Sequence, residues 1–175
     1  MQLYSTNMLT SLWLGVRNLA MVLLFPGTVT VYIPYRLLTT ANFPSTGVWS
    51  FGQFLGAVFA LVGTGILLNC VWTFAHYGRG TLAPFDETQK LVLVGLYRYV
   101  RNPMYVGVIT ILLGESMIFW SGRLLIYTGI MFTLFNVVVI GYEENRLRIK
   151  YGDEYRQYCA AVGRWLPGRA YRDTG

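Results

Sequence analysis

Gly95-Leu96-Tyr97-Arg98-Tyr99-Val100-Arg101-Asn102-Pro103-Met104-Tyr105 sets two arginines, an asparagine and three tyrosines between long apolar runs. Guanidinium groups at a membrane boundary are costly to desolvate unless an anion meets them. The stretch therefore marks the edge of a membrane span and is the first place to look for a ligand. Pro103 suits the first turn of a helix, where its missing N–H is harmless. Asn102 then falls at the N-cap, where a side-chain oxygen can accept a backbone N–H. The same amide can also touch a ligand.

Composition supports a membrane setting. The 175 residues are 54% hydrophobic and only 13% charged, with a mean hydropathy of +0.45, whereas soluble domains carry roughly 25% charged residues. The length fits one unit, residues 1–175. The net charge of +6 does not point to nucleic acid, because the basic residues collect beside the apolar runs and form no recognisable binding module. Cys70 and Cys159 give neither a disulfide framework nor a metal spacing. His76 is the only histidine, so no His-rich metal site is expected. The first apolar run lacks a basic leader and reads as a retained span rather than a signal peptide.

Four apolar segments approach or exceed the roughly 20 residues that cross about 30 Å of hydrocarbon. They run from about Met8 to Leu37, Phe51 to His76, Pro103 to Trp120, and Leu124 to Tyr142. Backbone groups in lipid must bond internally, so each is expected to be helical. The chain is thus expected to be an all-α bundle of about four transmembrane helices. The first segment is long and holds Pro26-Gly27; one helix kinked at Pro26 is preferred over two re-entrant pieces.

Four spans place the second loop and the C-terminal tail on one side. The loop carries Arg79, Lys90, Arg98 and Arg101. The tail carries Arg146, Arg148, Lys150, Arg156, Arg164, Arg169 and Arg172, so 11 of the 14 basic residues share that side. The positive-inside rule makes it cytoplasmic. The tail opens Glu143-Glu144-Asn145-Arg146-Leu147-Arg148, with Glu144 and Arg148 at i, i+4. Gly152 is an expected helix stop. A second short helix, from about Asp153 to Val162, carries Tyr155 and Tyr158 on one face, and Trp165-Leu166-Pro167 is expected to anchor the end at the interface.

Several residues are candidates for chemistry. Arg98 and Arg101 suit either lipid phosphate or a held ligand. Together with the acidic pair Glu143-Glu144 they can grip a zwitterion; the alternative for the pair is a solvated helix face bonded to Arg148, worth a few tenths of a kcal/mol. Glu115 lies about 18 Å into the third helix, where a carboxylate is a functional candidate. Arg17 sits at similar depth in the first segment, so a structural ion pair is an equal alternative.

The pattern Leu91-Val-x-x-Gly95-x-Tyr97-Arg98-x-x-Arg101-Asn102-Pro103-x-Tyr105, followed by Glu143-Glu144-x-x-Leu147-x-x-x-Tyr151-Gly152-x-x-Tyr155-x-x-Tyr158, resembles the isoprenylcysteine carboxyl methyltransferase family, part of a wider group with the phospholipid N-methyltransferases. The turn Gly78-Arg79-Gly80-Thr81 also looks like that of bacterial and archaeal members. The likeness covers roughly residues 70–168.

The resemblance implies S-adenosylmethionine as methyl donor, held on the cytosolic side between loop and tail. It implies a lipid-like or prenylated acceptor that enters from the bilayer between helices. The implied cofactor contacts fall at Gln89, Lys90, Leu91, Val92, Tyr97, Asn102, Pro103, Met104, Tyr105 and one of Glu143 or Glu144. Arg98, Arg101, Glu143 and Glu144 are the implied catalytic neighbours, and no metal is implied. A carboxylate acceptor needs no base, whereas an amine must first lose a proton, a task suited to Glu143 or Glu144.

Two departures stand out. The family's Arg-His-Pro is Arg-Asn-Pro here, and asparagine hydrogen-bonds without carrying charge. The arginine that eukaryotic carboxyl methyltransferases place before the acidic pair is replaced by Asn136-Val137-Val138-Val139-Ile140-Gly141. Rival readings are an NADPH-dependent reductase of the sterol or steroid type, whose tail looks similar, and a non-enzymatic membrane scaffold or transporter subunit.

Overall fold

The computed structural model describes residues 24–39, 49–77, 91, 93–168, 170 and 171. Among them, the chain is helical, and its only β pairing is an isolated bridge between Val100 and Gly163. A π-turn, Thr28–Tyr32, leads into α1, Ile33–Thr39. α2 spans Phe51–Tyr77, α3 Pro103–Ile118 and α4 Gly122–Val138. A second π-turn, Val139–Glu143, joins α4 to α5, Glu144–Ala161.

The expected segment boundaries hold to within a few residues for α2 and α3. The helices Phe51–Thr73 and Gly122–Ala161 are long and apolar enough to cross a membrane. α3, with 16 residues, falls short of the roughly 20 a perpendicular span requires. In the first segment, residues 24–27 are helical and Pro26-Gly27 is followed by a π-turn rather than a break, with the Thr30 hydroxyl donating to the Pro26 carbonyl at 2.8 Å. Most of that segment, with Arg17, lies outside the described residues, and so does the choice between one span and two re-entrant pieces.

α2 and α3 pack with almost no side chain between them. Gly56 and Gly63 on α2 meet Gly114 and Gly107 on α3, each pair seven residues apart. A Cβ on Gly114 would stand 2.6 Å from the Gly56 carbonyl oxygen and the Ala60 nitrogen, and one on Gly63 2.7 Å from the Gly107 carbonyl. Small residues of this kind let apolar helices approach to backbone contact, where dispersion replaces the hydrophobic effect that lipid does not supply. α3 and α4 are joined by a tight turn. Trp120 adopts φ 46° there, while its indole lies over Gly52 and donates to Ser50. Ser121 caps α4 by accepting from Leu124 N.

The core between helices contains Leu67, Val108, Ile111, Leu112, Met131 and Phe135, joined by Val29. Tyr127 on α4 donates to the Val29 carbonyl at 3.1 Å, tying the first segment to the bundle. The outward faces of α2 and α4 leave Phe51, Leu61, Leu125, Ile126 and Val137 exposed. A helix apolar on its outer as well as its inner face suits a membrane span or the core of a larger assembly. Glu115 keeps one buried carboxylate oxygen without a hydrogen-bond partner among the described residues.

Gly152 marks the expected stop as a kink, with φ 53° and ψ −121°, after which the helix resumes to Ala161. This second half places Tyr155, Tyr158 and Val162 in a separate cluster, packed by Leu91, Leu93, Leu147 and Tyr151. Leu91 and Leu93, which precede the Gly95 stretch, thus pack against the tail helix.

Candidate active site

The opening stretch and the C-terminal tail are bound together along their backbones. Arg101 N donates to Gly163 O at 2.9 Å, Gly168 N to Tyr99 O at 2.8 Å, and Tyr171 N to Arg98 O at 2.8 Å. Side chains lock the same seam: Tyr158 OH donates to Tyr97 O at 2.5 Å, and Arg98 Nε to Tyr171 O at 3.0 Å. Gly95 starts the stretch at φ +59°, where a Cβ would also meet the Thr73 hydroxyl at 3.2 Å. Both facts favour glycine.

Asn102 takes the N-cap position of α3, but its side chain makes no capping bond. Its Nδ2 donates instead to the Arg164 carbonyl at 3.2 Å. The expected cap is replaced by a cross-link between residues 62 apart in the chain. Pro103 occupies N1, as expected, and is fully buried.

The π-turn delivers Glu143 and Glu144 to different neighbours. Such turns widen the helix by one residue and recur at functional sites. Glu144 is 3% exposed and meets three guanidinium groups. Arg164 grips it with both prongs, Nε–Oε1 at 2.6 Å and Nη2–Oε2 at 3.0 Å. Arg101 Nη1 lies 3.2 Å from Oε1, and Arg148 Nη2 3.6 Å from Oε2. The solvated helix face that is the alternative for the acidic pair is absent at Glu144; the Arg148 pair is one of three. Burial pushes this carboxyl up, but the Arg164 hydrogen bonds and the Arg101, Arg164 and Arg148 charges outweigh it and hold it below the usual carboxylate range. Arg101 also donates Nη1–H to Cys159 Sγ at 2.8 Å, and its buried Nε has no hydrogen-bond partner among the described residues.

Glu143 accepts from the Tyr105 hydroxyl. Burial raises its pKa; the Tyr105 hydrogen bond opposes this, and the Glu144 charge adds to it, leaving a net rise. Tyr105 stacks on Phe135, with centroids 4.5 Å apart, and meets the edge of Trp165 at 6.5 Å. Trp165 packs on Phe132 and donates to Asn136 Oδ1 at 3.0 Å. It is thus part of the site rather than the interfacial anchor the tail suggests. Beside the seam, Leu93, Val94, Gly95, Arg98 and Tyr171 line a cavity of about 200 Å³.

The residues singled out from sequence fall into three groups. Arg98, Tyr97, Arg101, Asn102, Tyr105, Glu143 and Glu144 come together at the seam, the start of α3 and the turn that follows α4. Met104 and Leu91 pack against the two apolar clusters, and Pro103 is fully buried. Gln89, Lys90 and Val92 lie outside the described residues. Arg164 and Cys159 were not singled out. Arg164 had one weak signal, its place within Gly163-Arg164-Trp165 at the end of an aromatic helix.

Comparison with known proteins identifies the family. The phospholipid methyltransferase family matches residues 51–154, more than half of the chain, and the chain belongs to that family. A rice protein (Oryza sativa subsp. indica) described as a probable protein-S-isoprenylcysteine O-methyltransferase is 28% identical over 129 residues, 71% of this chain and 66% of its own length. A methanethiol S-methyltransferase of Crocosphaera subtropica is 26% identical over 136 residues, covering 69% of this chain and 51% of that protein. Methanethiol S-methyltransferase 1 of Bradyrhizobium diazoefficiens is 35% identical over 78 residues, 42% of this chain and 25% of that protein. The chain spans between a quarter and two thirds of the length of these relatives. No solved structure matches.

Proposed function

We propose that this chain is an S-adenosylmethionine-dependent methyltransferase that works at the cytoplasmic face of a membrane on a lipophilic acceptor. The observation that carries the reading is the seam between Arg98–Asn102 and Gly163–Tyr171, which joins the second loop and the tail into one site within a family of methyltransferases. Four spans, with the charge-rich loop and tail on the cytoplasmic side, fit the apolar helices and the distribution of basic residues.

The residues present fit the donor's chemistry. A sulfonium zwitterion needs an anion, a cation and an apolar surface. Arg98 offers the cation and Leu93, Val94 and Tyr171 the surface at the cavity, and Glu143, bonded to Tyr105 on α3, offers the anion. Bound there, S-adenosylmethionine supplies an already activated methyl group. The chain's part is to align the acceptor and exclude water, which can contribute several kcal/mol. Arg101 and Glu144 support the site through their mutual pairing, and Asn102 holds the Arg164 backbone. The acceptor reaches the site from the bilayer along the exposed faces of α4, and membrane lipids are its surroundings.

Thermal unfolding in detergent tests this reading. S-adenosylmethionine and S-adenosylhomocysteine should raise the midpoint, whereas NADPH should not. A shift with NADPH alone would favour a reductase, and no shift with any of the three a non-enzymatic role.

A further inference from the structure

We propose that the outward face at the start of α5 binds the phosphodiester headgroup of an anionic lipid, with Arg146 and Lys150 as its cations and Tyr142 at the hydrocarbon edge. That assignment requires only that α4 cross a bilayer, whatever the chain methylates.

The outward stripe of α4 does not stop where the apolar sequence does. It includes the exposed residues Ile126, Ile130, Leu134 and Val137, at steps of four, four and three, and then Tyr142, a step of five. The long step falls on the π-turn Val139–Glu143. Such a turn takes up one extra residue, so the stripe keeps its phase. It runs on through Arg146 and Ile149, with Lys150 beside them, and Ile149 is 88% exposed. The opposite face of α5 holds Glu144, buried among its arginines. One continuous face is therefore apolar along α4 and cationic as soon as the apolar sequence ends.

Depth matches the ligand. From Gly122 to Tyr142 the helix rises about 30 Å, the thickness of the hydrocarbon layer. Arg146 stands about 6 Å beyond that edge, at the level of the headgroups. Side chains on a helix lean toward its N-terminus, which for α5 is the bilayer side. Arg146 does so: its Nη1 donates to the Tyr142 hydroxyl at 2.9 Å, and the guanidinium lies 5.8 Å from that ring's centroid. A guanidinium has five donors, enough to keep this bond and take a phosphate oxygen as well. Lys150, one turn further and 5.3 Å from the Tyr151 ring, can reach back along its flexible stem. The next acidic residue, Asp153, lies past the Gly152 kink and is paired with Arg156 at 3.2 Å. A zwitterionic headgroup brings its own ammonium to two such cations and gains little. An anionic headgroup gains roughly fivefold in affinity from each.

Native mass spectrometry of the full chain in detergent tests this, with equal amounts of dioleoyl phosphatidylglycerol and dioleoyl phosphatidylcholine as probes that differ only in headgroup. The phosphatidylglycerol adduct should exceed the phosphatidylcholine adduct by about tenfold or more. Arg146→Gln combined with Lys150→Gln should bring the ratio below about threefold, whereas Arg156→Gln should leave it within about twofold of wild type. Hydrogen exchange of the wild-type chain in nanodiscs is a second readout, and serves if the double variant does not fold. The amides of residues 145–151 should exchange more slowly when phosphatidylglycerol replaces part of the phosphatidylcholine. Equal binding of the two lipids overturns the proposal, as does exchange at 145–151 that ignores the headgroup. A preference that survives the double variant places the lipid elsewhere and overturns it too. Loss of the preference in Arg156→Gln reduces the effect to net charge, against the proposal. Displacement of bound phosphatidylglycerol by excess inorganic phosphate would make the ligand a soluble anion, and also overturns it.

Discussion

Glu143 and Glu144 are adjacent in the chain and serve different partners: Glu143 accepts from Tyr105 on α3, while Glu144 is enclosed by Arg101, Arg148 and Arg164. One carboxylate ties the tail to the loop, and the other stays beside the aromatic wall. That division of labour sets the predictions below.

Glu144→Ala should be among the most damaging single changes. Removing one partner of a buried ion pair typically costs about 3–5 kcal/mol, because the remaining charges are left uncompensated. Arg148→Ala should cost under about 1 kcal/mol, since its side chain is 54% exposed and water screens the pair. Thermal unfolding in detergent compares the two; equal losses would show that Glu144 is not held in the manner described.

The same residue predicts an acid limit. The arginines hold the folded-state pKa of Glu144 below its unfolded value, which is about 4.3 for glutamate. Its stabilising contribution is then fully present above the unfolded pKa and is lost as pH falls through the folded one. Unfolding midpoints should fall below about pH 4 in the wild type, and Glu144→Gln should flatten that limb while lowering stability at neutral pH. An acid limb as steep in Glu144→Gln as in the wild type would assign it to other carboxylates.

Asn102→Ala and Asn102→Asp should behave alike, because each removes the Nδ2 donor to the Arg164 carbonyl. The expected loss is about 1 kcal/mol, together with faster amide hydrogen exchange across Gly163–Gly168. If Asn102→Asp exchanges as slowly as the wild type, the cross-link is not what holds the tail.

Gly114→Ala should separate α2 from α3. The added Cβ would lie 2.6 Å from backbone atoms of Gly56 and Ala60, which have no rotamer to escape into, so a cost of about 1–3 kcal/mol is expected. Gly129→Ala on α4 meets nothing within 4 Å and should be neutral or slightly stabilising, as alanine favours helix by about 1 kcal/mol. Comparative unfolding of the two variants checks the contact.

Much of the fold was legible because its signals are local. The apolar length of Phe51–Tyr77, the proline at α3's first turn and the break at Gly152 each depend on a few neighbouring residues. The pattern from Leu91 to Tyr158 likewise exposed the family before any contact was known. What stayed hidden were the distant partners. Asn102 is a good cap by type, yet the Arg164 carbonyl, brought near by the Val100–Gly163 bridge, takes its amide. Trp165 reads as an interfacial anchor, yet Asn136, Phe132 and Tyr105 hold it in the site.

The sequence by itself determined that this is an apolar helical chain of a methyltransferase family with its charge gathered at one edge, since hydropathy and spacing are properties of consecutive residues. Only the tertiary structure decided how that charge is spent. A π-turn and a folded-back tail assign Glu144 to three arginines and Glu143 to Tyr105, because which cation reaches which carboxylate depends on distances across the chain that no local pattern encodes.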